Sequence, residues 1–273
     1  MINLTDAQLR QLQLVELDML LEFDRICRMH DIKYSITGGT LLGAIRHGGF
    51  IPWDDDADIS MLREEYEKFI SVCDTELDGN KYYFQDIKRT AGYRWGYGKL
   101  RRKGTVFLRE YQEHMPYEQG IFLDIFPRDG VPDGMFEEKI HKFCCFCVRK
   151  TLWSAVGRFA EKKVLWRLWY SFLYYVSLPW IESAYNKLVM WSNRRPTELV
   201  RALTFPIPHN EKGYKREWYN DYVDIEFEGH KLMVEKEYMC WIEQEFHDYM
   251  KLPPVEKRKI HPVVDIKFPE KES

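Results

Sequence analysis

Asp56 and Asp58 stand one residue apart in Asp56-Ala57-Asp58-Ile59-Ser60-Met61, a run that alternates polar with apolar side chains. A period of two marks a half-buried strand, and it places both carboxylates on one face. Two acids side by side on such a face repel each other unless a cation neutralises them, and a hard divalent ion, Mg²⁺ or Mn²⁺, is the natural remedy. Asp124 adds weight. It is the lone acid in Ile121-Phe122-Leu123-Asp124-Ile125-Phe126, an apolar strand in which an isolated carboxylate is strongly disfavoured. If the two strands are neighbours, three acids converge on two metal ions, an arrangement suited to in-line displacement at the phosphorus of a nucleoside diphosphate conjugate. Gly38-Gly39 ends a short β-prone run and would let main-chain N–H groups reach the phosphates.

The same residues admit other readings. Asp54-Asp55-Asp56-Ala57-Asp58 is also a solvated acidic turn by composition. A calcium loop would use the same alternate acids and Glu65, but Ile59 occupies the position where its bend needs glycine. The Asp-x-Asp of metal-dependent glycosyltransferases binds a nucleotide diphosphate through a cation too, and the pair of acids alone does not separate the two.

These acids need elements to position them. Thr5-Asp6 reads as an N-cap, and Leu9, Leu12, Val15, Met19, Phe23 and Ile26 recur at helical spacing as far as His30. A short helix over 40–46 closes at His47-Gly48-Gly49, and a second helix spans 63–77. Strands are predicted over 82–87, 94–101 and 121–126, a β-hairpin over 223–234 turning at Glu228-Gly229, and a last helix over 236–250. The order implies an α/β (α+β) domain with a mixed sheet. Residues 1–132 and 200–273 form its core, and 133–199, rich in Trp and Tyr, read as a helical insertion.

Composition bounds the rest. With 45% hydrophobic and 30% charged residues the chain can bury a real core, and a formal net charge of −3 argues against nucleic acid as a partner. The N-terminus lacks a basic stretch followed by an apolar run, so no secretory signal is expected and the location is cytoplasmic. Cys144, Cys145 and Cys147 with His141 suggest half a zinc site, but no second pair exists and buried thiols on a helix are the simpler account. The longest uncharged stretch, 168–181, is 14 residues. At about 1.5 Å per residue it falls short of a hydrocarbon core of about 30 Å. Six cations against one acid between Arg149 and Arg167 sit beside it, which suits either a helix resting on an anionic membrane through 149–181 or a hairpin with an aromatic core.

The run from Ile36-Thr37-Gly38-Gly39-Thr40-Leu41-Leu42-Gly43-Ala44-Ile45-Arg46-His47-Gly48-Gly49 through Phe50-Ile51-Pro52-Trp53-Asp54-Asp55-Asp56-Ala57-Asp58-Ile59 closely resembles the LicD family. The resemblance extends through Lys99-Leu100-Arg101, Phe122-Leu123-Asp124-Ile125-Phe126-Pro127 and Asp248-Tyr249-Met250-Lys251-Leu252-Pro253-Pro254, which covers nearly everything outside the insertion. It implies a polymerase-β-like nucleotidyltransferase fold and a phosphotransferase. Such an enzyme moves phosphocholine, or a similar alcohol phosphate, from CDP-choline or another CDP-alcohol to a lipid-linked glycan, a teichoic acid or lipopolysaccharide precursor built at the inner face of the cell membrane. By that analogy Asp56, Asp58 and Asp124 are catalytic and hold two Mg²⁺ (or Mn²⁺) ions, and Asp124 accepts the sugar hydroxyl proton. Gly38, Gly39, Thr40, Lys99 and Arg101 face the donor's phosphates; Arg46 either touches them or caps its helix, and the Trp53 ring either serves packing or covers a cationic choline. Two alternatives stay open: a nucleotidylyltransferase that releases pyrophosphate, and a non-catalytic choline or CDP-alcohol binding module. Phe246-His247, where the family has Tyr-Gly, and Glu235, where a proline is expected, depart from the pattern on the acceptor side.

Overall fold

Thr5 opens the first helix with a reciprocal capping box: its hydroxyl accepts from the Gln8 N–H while the Gln8 side chain accepts from the Thr5 N–H. In the computed structural model, which describes residues 2–258 and 260–270, that helix is α1 (Asp6–Met29). It is followed by β1 (Ser35–Ile36), α2 (Gly38–His47), β2 (Asp58–Leu62), α3 (Arg63–Glu76), β3 (Tyr82–Gln85), β4 (Gly98–Arg102), β5 (Val106–Arg109) and β6 (Phe122–Val131). Three helices come next, α4 (Met135–Ala160), α5 (Val164–Tyr174) and α6 (Leu178–Ser192). The chain then returns through β7 (Leu199–Arg201), β8 (Tyr214–Lys215), β9 (Tyr222–Phe227), β10 (His230–Glu235), α7 (Tyr238–Phe246) and β11 (Val263–Lys267).

The main sheet runs β1-β2-β6-β4-β3, with β7 on the far half of β6 and β8 beside it. It is mixed: β2 and β6 are parallel, and the other neighbours are antiparallel. All ten residues of β6 are buried, because β2, β4 and β7 all pair with this one strand. The α1 face that buries Leu12, Phe23 and Ile26 joins Ile36, Ile59, Leu100, Leu123 and Ile125 of the sheet in one core cluster. This is a mixed α+β architecture compatible with a nucleotidyltransferase-like fold.

Several boundaries differ from the sequence reading for local reasons. The ladder of β2 starts at Asp58 and not at Asp56, although the Ala57 carbonyl already accepts from the Asp124 N–H at 3.1 Å. Residues 94–97 form a turn before β4, closed where the Tyr93 hydroxyl donates to the Tyr97 carbonyl at 3.0 Å. The helix expected over 236–250 ends at Phe246, since His247 takes a left-handed φ of 52°. The hairpin β9–β10 turns at Glu228-Gly229 as expected. The small ladder β5–β11 has no counterpart in the sequence reading.

Helices α4 to α6 pack on one another through Cys145, Val148 and Leu152 against Ile181, Tyr185 and Leu188. The uncharged stretch 168–181 is broken between α5 and α6, with Pro179 in the first turn of α6. Among the described residues no helix is long and apolar enough to cross a membrane. A buried bidentate pair ties the helices to the sheet: Arg63 of α3 donates to both Asp129 oxygens at 2.7 Å, Asn193 donates to Asp129 at 2.6 Å, and the Tyr185 hydroxyl accepts from Arg63 at 3.2 Å. The cysteines are free thiols, and Cys145 Sγ lies 3.7 Å from His141 Nδ1.

His141 links α4 to α6 through a 2.7 Å contact between its Nε2 and Ser192 Oγ. Burial, reinforced by Arg201, pushes its pKa down to about 4. A depressed histidine favours the neutral ring, so its contribution is complete above the unfolded value near ~6.5 and is lost as pH falls towards 4. Between pH 7 and pH 4 the wild type should therefore lose on the order of 2 kcal/mol more stability than His141→Asn. Paired urea melts at the two pH values check this, and equal losses would refute it.

Candidate active site

Register brings the chemistry together. Asp58 of β2 pairs with Asp124 of β6, and Asp124 pairs with Lys99 of β4, so the three side chains form one row across adjacent strands on one face of the sheet. The Lys99 ammonium binds the Asp124 carboxylate and lies 3.5 Å from the Phe122 ring centroid. Arg109, at the end of β5, donates to Asp56 at 3.1 Å and stands 4.9 Å from the same ring. Two of the three expected acids thus have a cation each. Asp58 has none.

The backbone around Asp58 is pinned. Its N–H donates to Thr40 Oγ1 at 2.8 Å, and its carbonyl accepts from the Thr37 N–H at 3.0 Å. Gly38 has a φ of +60°, and a Cβ there would lie 2.8 Å from Asp58 Oδ2. A Cβ on Gly39 would overlap the Asp54 carboxylate. Both glycines are therefore required by the close approach of the α2 N-terminus to the acids, and the free N–H groups of that terminus favour negative charge.

Negative charge exceeds what the protein neutralises. The Asp58 carboxyl is held well above the usual range by burial first, then by Asp56, Asp124 and Asp54, with Lys99 opposing. Burial, Asp56 and Asp55 push Asp54 up to about 7. Glu16 rises from α1 beneath this loop, 2% exposed, with its Oε2 lacking a hydrogen-bond partner. Burial and the charges of Asp56, Asp55 and Asp54 raise its pKa well above the ordinary value. On the cationic side, burial pulls Lys99 down to about 7 against the pull of Asp124, with Arg101 and Arg109 reinforcing the fall. A carboxylate surplus in a confined space is what a divalent cation would relieve.

The remaining sequence-predicted residues are placed as follows. Lys99 and Arg101 line a cavity of about 350 Å³ with Arg109, Tyr97, Phe122 and His261. Arg101 is buried, donating to Gln85 and to the Gly120 carbonyl. Arg46 donates to the Tyr249 carbonyl at 3.0 Å and so holds the C-terminal segment. The Trp53 ring carries the Arg258 guanidinium 4.5 Å from its centroid.

Sequence reasoning missed four contributors: Glu16, Asp54, Arg109 and His261. His261 reaches Asp55 through its backbone N–H at 3.0 Å and its ring Nδ1 at 2.9 Å. With Asp55 and Asp56 it forms the only group of three metal-suited side chains within 4.8 Å of one another among the described residues. No local pattern announces His261, because its partners are some 206 positions away.

Comparison with known proteins fits this geometry. A family model described as LicD/FKTN/FKRP, nucleotidyltransferase domain, matches residues 31–148. The lipopolysaccharide cholinephosphotransferase LicD of Haemophilus influenzae is 32% identical over 266 residues, covering 93% of this chain and 95% of that protein. Ribitol 5-phosphate transferase FKRP of Mus musculus is 50% identical over 100 residues, 37% of this chain and 18% of its own. The human FKRP is 50% identical over 102 residues, again 37% and 18%. With such similarity along nearly the whole of a bacterial relative, the chain belongs to the LicD family of transferases.

Proposed function

We propose that the protein transfers phosphocholine, or a similar alcohol phosphate, from a CDP-alcohol to a sugar hydroxyl of a lipopolysaccharide or teichoic acid precursor, with release of CMP. The observation that carries the reading is the Asp58–Asp124–Lys99 row beside the Gly38-Gly39 turn. The name of the Haemophilus relative supplies the group transferred. Asp56, Asp58 and Asp124 would hold Mg²⁺ or Mn²⁺, two ions on this reading. The metal, when bound, supplies positive charge against the donor's diphosphate. Lys99, Arg101 and Arg109 line the same cavity and offset the charge that builds on CMP as its bond to the transferred phosphorus breaks. Asp124 takes the proton from the sugar hydroxyl while that oxygen forms the new bond to phosphorus. The Gly38 and Gly39 N–H groups orient phosphate oxygens at the α2 N-terminus.

A surface feature supports a membrane-linked acceptor. On α5 only Tyr170 is buried, while Leu165, Leu168, Phe172 and Tyr175, which share one helical face, are 61–86% exposed. Lys162, Lys163 and Arg167 are exposed beside them. An apolar stripe rimmed by cations suits the anionic inner face of a cell membrane, where a lipid-linked glycan would stand.

Three outcomes are expected. Asp56→Ala and Asp58→Ala should each lower CMP release from CDP-choline by about a thousandfold or more without lowering the melting temperature, because each removes charge from a crowded site. Wild-type rates in either variant would defeat the reading, and pyrophosphate as the leaving product would favour nucleotidylyl transfer. Metal-free protein should gain thermal stability from Mn²⁺, a gain lost in Asp58→Asn and kept in Asp55→Asn. The reverse pattern would move the ion to the Asp55–Asp56–His261 group. Vesicles containing phosphatidylglycerol should sediment the protein, phosphatidylcholine vesicles should not, and Leu168→Glu with Phe172→Glu should abolish sedimentation. Binding that survives the double substitution would place the membrane elsewhere.

A further inference from the structure

Beside the cavity of Lys99 and Arg109 lies a second one, of about 460 Å³, where the core meets α4 and α5. Trp95, Tyr97 and Trp153 line both cavities, so these aromatic residues are shared by the two. The Tyr97 ring centroid is 5.4 Å from the Lys99 ammonium, which itself binds Asp124. Whatever sits in the second cavity is therefore one ring away from the proposed proton acceptor.

Its chemistry is distinct. Arg94, Arg149 and Lys150 line it against a single acid, Glu161. None of these three cations pairs with a carboxylate among the described residues. Arg94 is 7% exposed, and its polar contacts are long ones, 3.5 Å to the Thr151 carbonyl and 3.5 Å to Ser154 Oγ, with the Tyr174 ring at 4.5 Å. Lys150 meets only the neutral Tyr170 hydroxyl among polar groups, at 2.9 Å. Thr204, 8% exposed, lines the same space, and its hydroxyl oxygen has no hydrogen-bond partner among the described residues. A buried cation without an anion, Arg94, with two half-buried ones beside it and a buried hydroxyl are costly to the fold, and an anionic, hydroxyl-bearing ligand satisfies them. Flat indole and phenol faces suit the apolar C–H face of a pyranose.

We propose that this cavity is the acceptor subsite and that it takes a sugar carrying an anionic substituent, a phosphate held by Arg94, Arg149 and Lys150. The donor's cationic choline is excluded from it by the same three charges. The proposal rests on the transferase reading for the word acceptor, but binding of the sugar phosphate stands or falls by itself.

Ligand-observed NMR with glucose 1-phosphate, glucose, inorganic phosphate and CDP-choline as probes tests it on the whole protein. Glucose 1-phosphate should bind about tenfold or more tightly than glucose or inorganic phosphate, and Arg149→Glu should weaken it by a further tenfold or so, leaving CDP-choline affinity within about twofold. Arg149 makes no ion pair among the described residues, so this variant should keep the wild-type melting temperature; Lys150→Gln provides a second, milder loss. Parallel loss of CDP-choline binding would assign the cavity to the donor and overturn the proposal. Equal binding of glucose would remove the anion requirement, and equal binding of inorganic phosphate would mean an adventitious ion only. If the sugar phosphate behaves as expected yet the wild type releases CMP from none of CDP-choline, CDP-ribitol and CDP-glycerol, the transferase reading fails and the subsite remains.

Discussion

Carboxylates outnumber cations where β2 and β6 enter the sheet, and the surrounding structure holds them there against their repulsion. Asp54, Asp55, Asp56, Asp58, Asp124 and Glu16 crowd a space in which Lys99 and Arg109 supply the positive charge and His261 a hydrogen-bonding ring. Desolvation is the largest cause of the raised pKa at Glu16, Asp54 and Asp58, so the strain comes mainly from burial and only then from like charges. Burial costs of this kind survive only where packing over-determines the positions. The packing does so here.

Long-range contacts supply that restraint. Gln13 of α1 donates from below to the carbonyls of Ile51 and Asp54, at 3.2 and 3.0 Å, and fixes the path of the acidic loop. Glu228, at the hairpin turn, forms a two-pronged pair with Arg10 and also accepts from the Phe50 N–H at 3.1 Å. From the other side His261 clamps Asp55. A helix, a hairpin and the segment before β11 thus hold one loop, and the parallel β2–β6 register then aligns Asp58 with Asp124. Arg109 arrives only because β5 pairs with β11, so the C-terminal segment contributes to the charge balance without placing an acid of its own in the row.

The sequence showed what is local. Alternation around Asp56 and the lone acid in an apolar run identified two strands, and the structure pairs them directly, Asp58 opposite Asp124. The capping box at Thr5, the hairpin at Glu228-Gly229 and the helical character of α4 to α6 are equally short-range signals. Glu16 was hidden because an acid within an amphipathic helix reads as a solvated position, and only the fold shows it beneath the loop. Arg109 and His261 were hidden because the short β5–β11 ladder carries little periodic pattern. The family resemblance implies that Lys99 faces the phosphates, while its pairing with Asp124 depends on β4 lying beside β6, a neighbour that no local pattern specifies.

The location of the positive charge gives the molecule a direction. At the row of acids, cations are tied to carboxylates: Lys99 to Asp124 and Arg109 to Asp56. Across the Trp95, Tyr97 and Trp153 wall they are not, and Arg94, Arg149 and Lys150 face a cavity with one acid. Further out, beyond α5, cations flank an exposed apolar stripe. Moving outward from the row of acids, the environment passes from carboxylates, to aromatic faces, to unpaired cations, and finally to a surface suited to lipid. On the proposed reading a lipid-linked, anionic glycan would match that order from its anchor inward, while a CDP-alcohol would need only the inner cavity. On the function proposed above, the two substrates of the group transfer would enter from different sides and meet at Asp124, with the helices between β6 and β7 on the acceptor's side of the path.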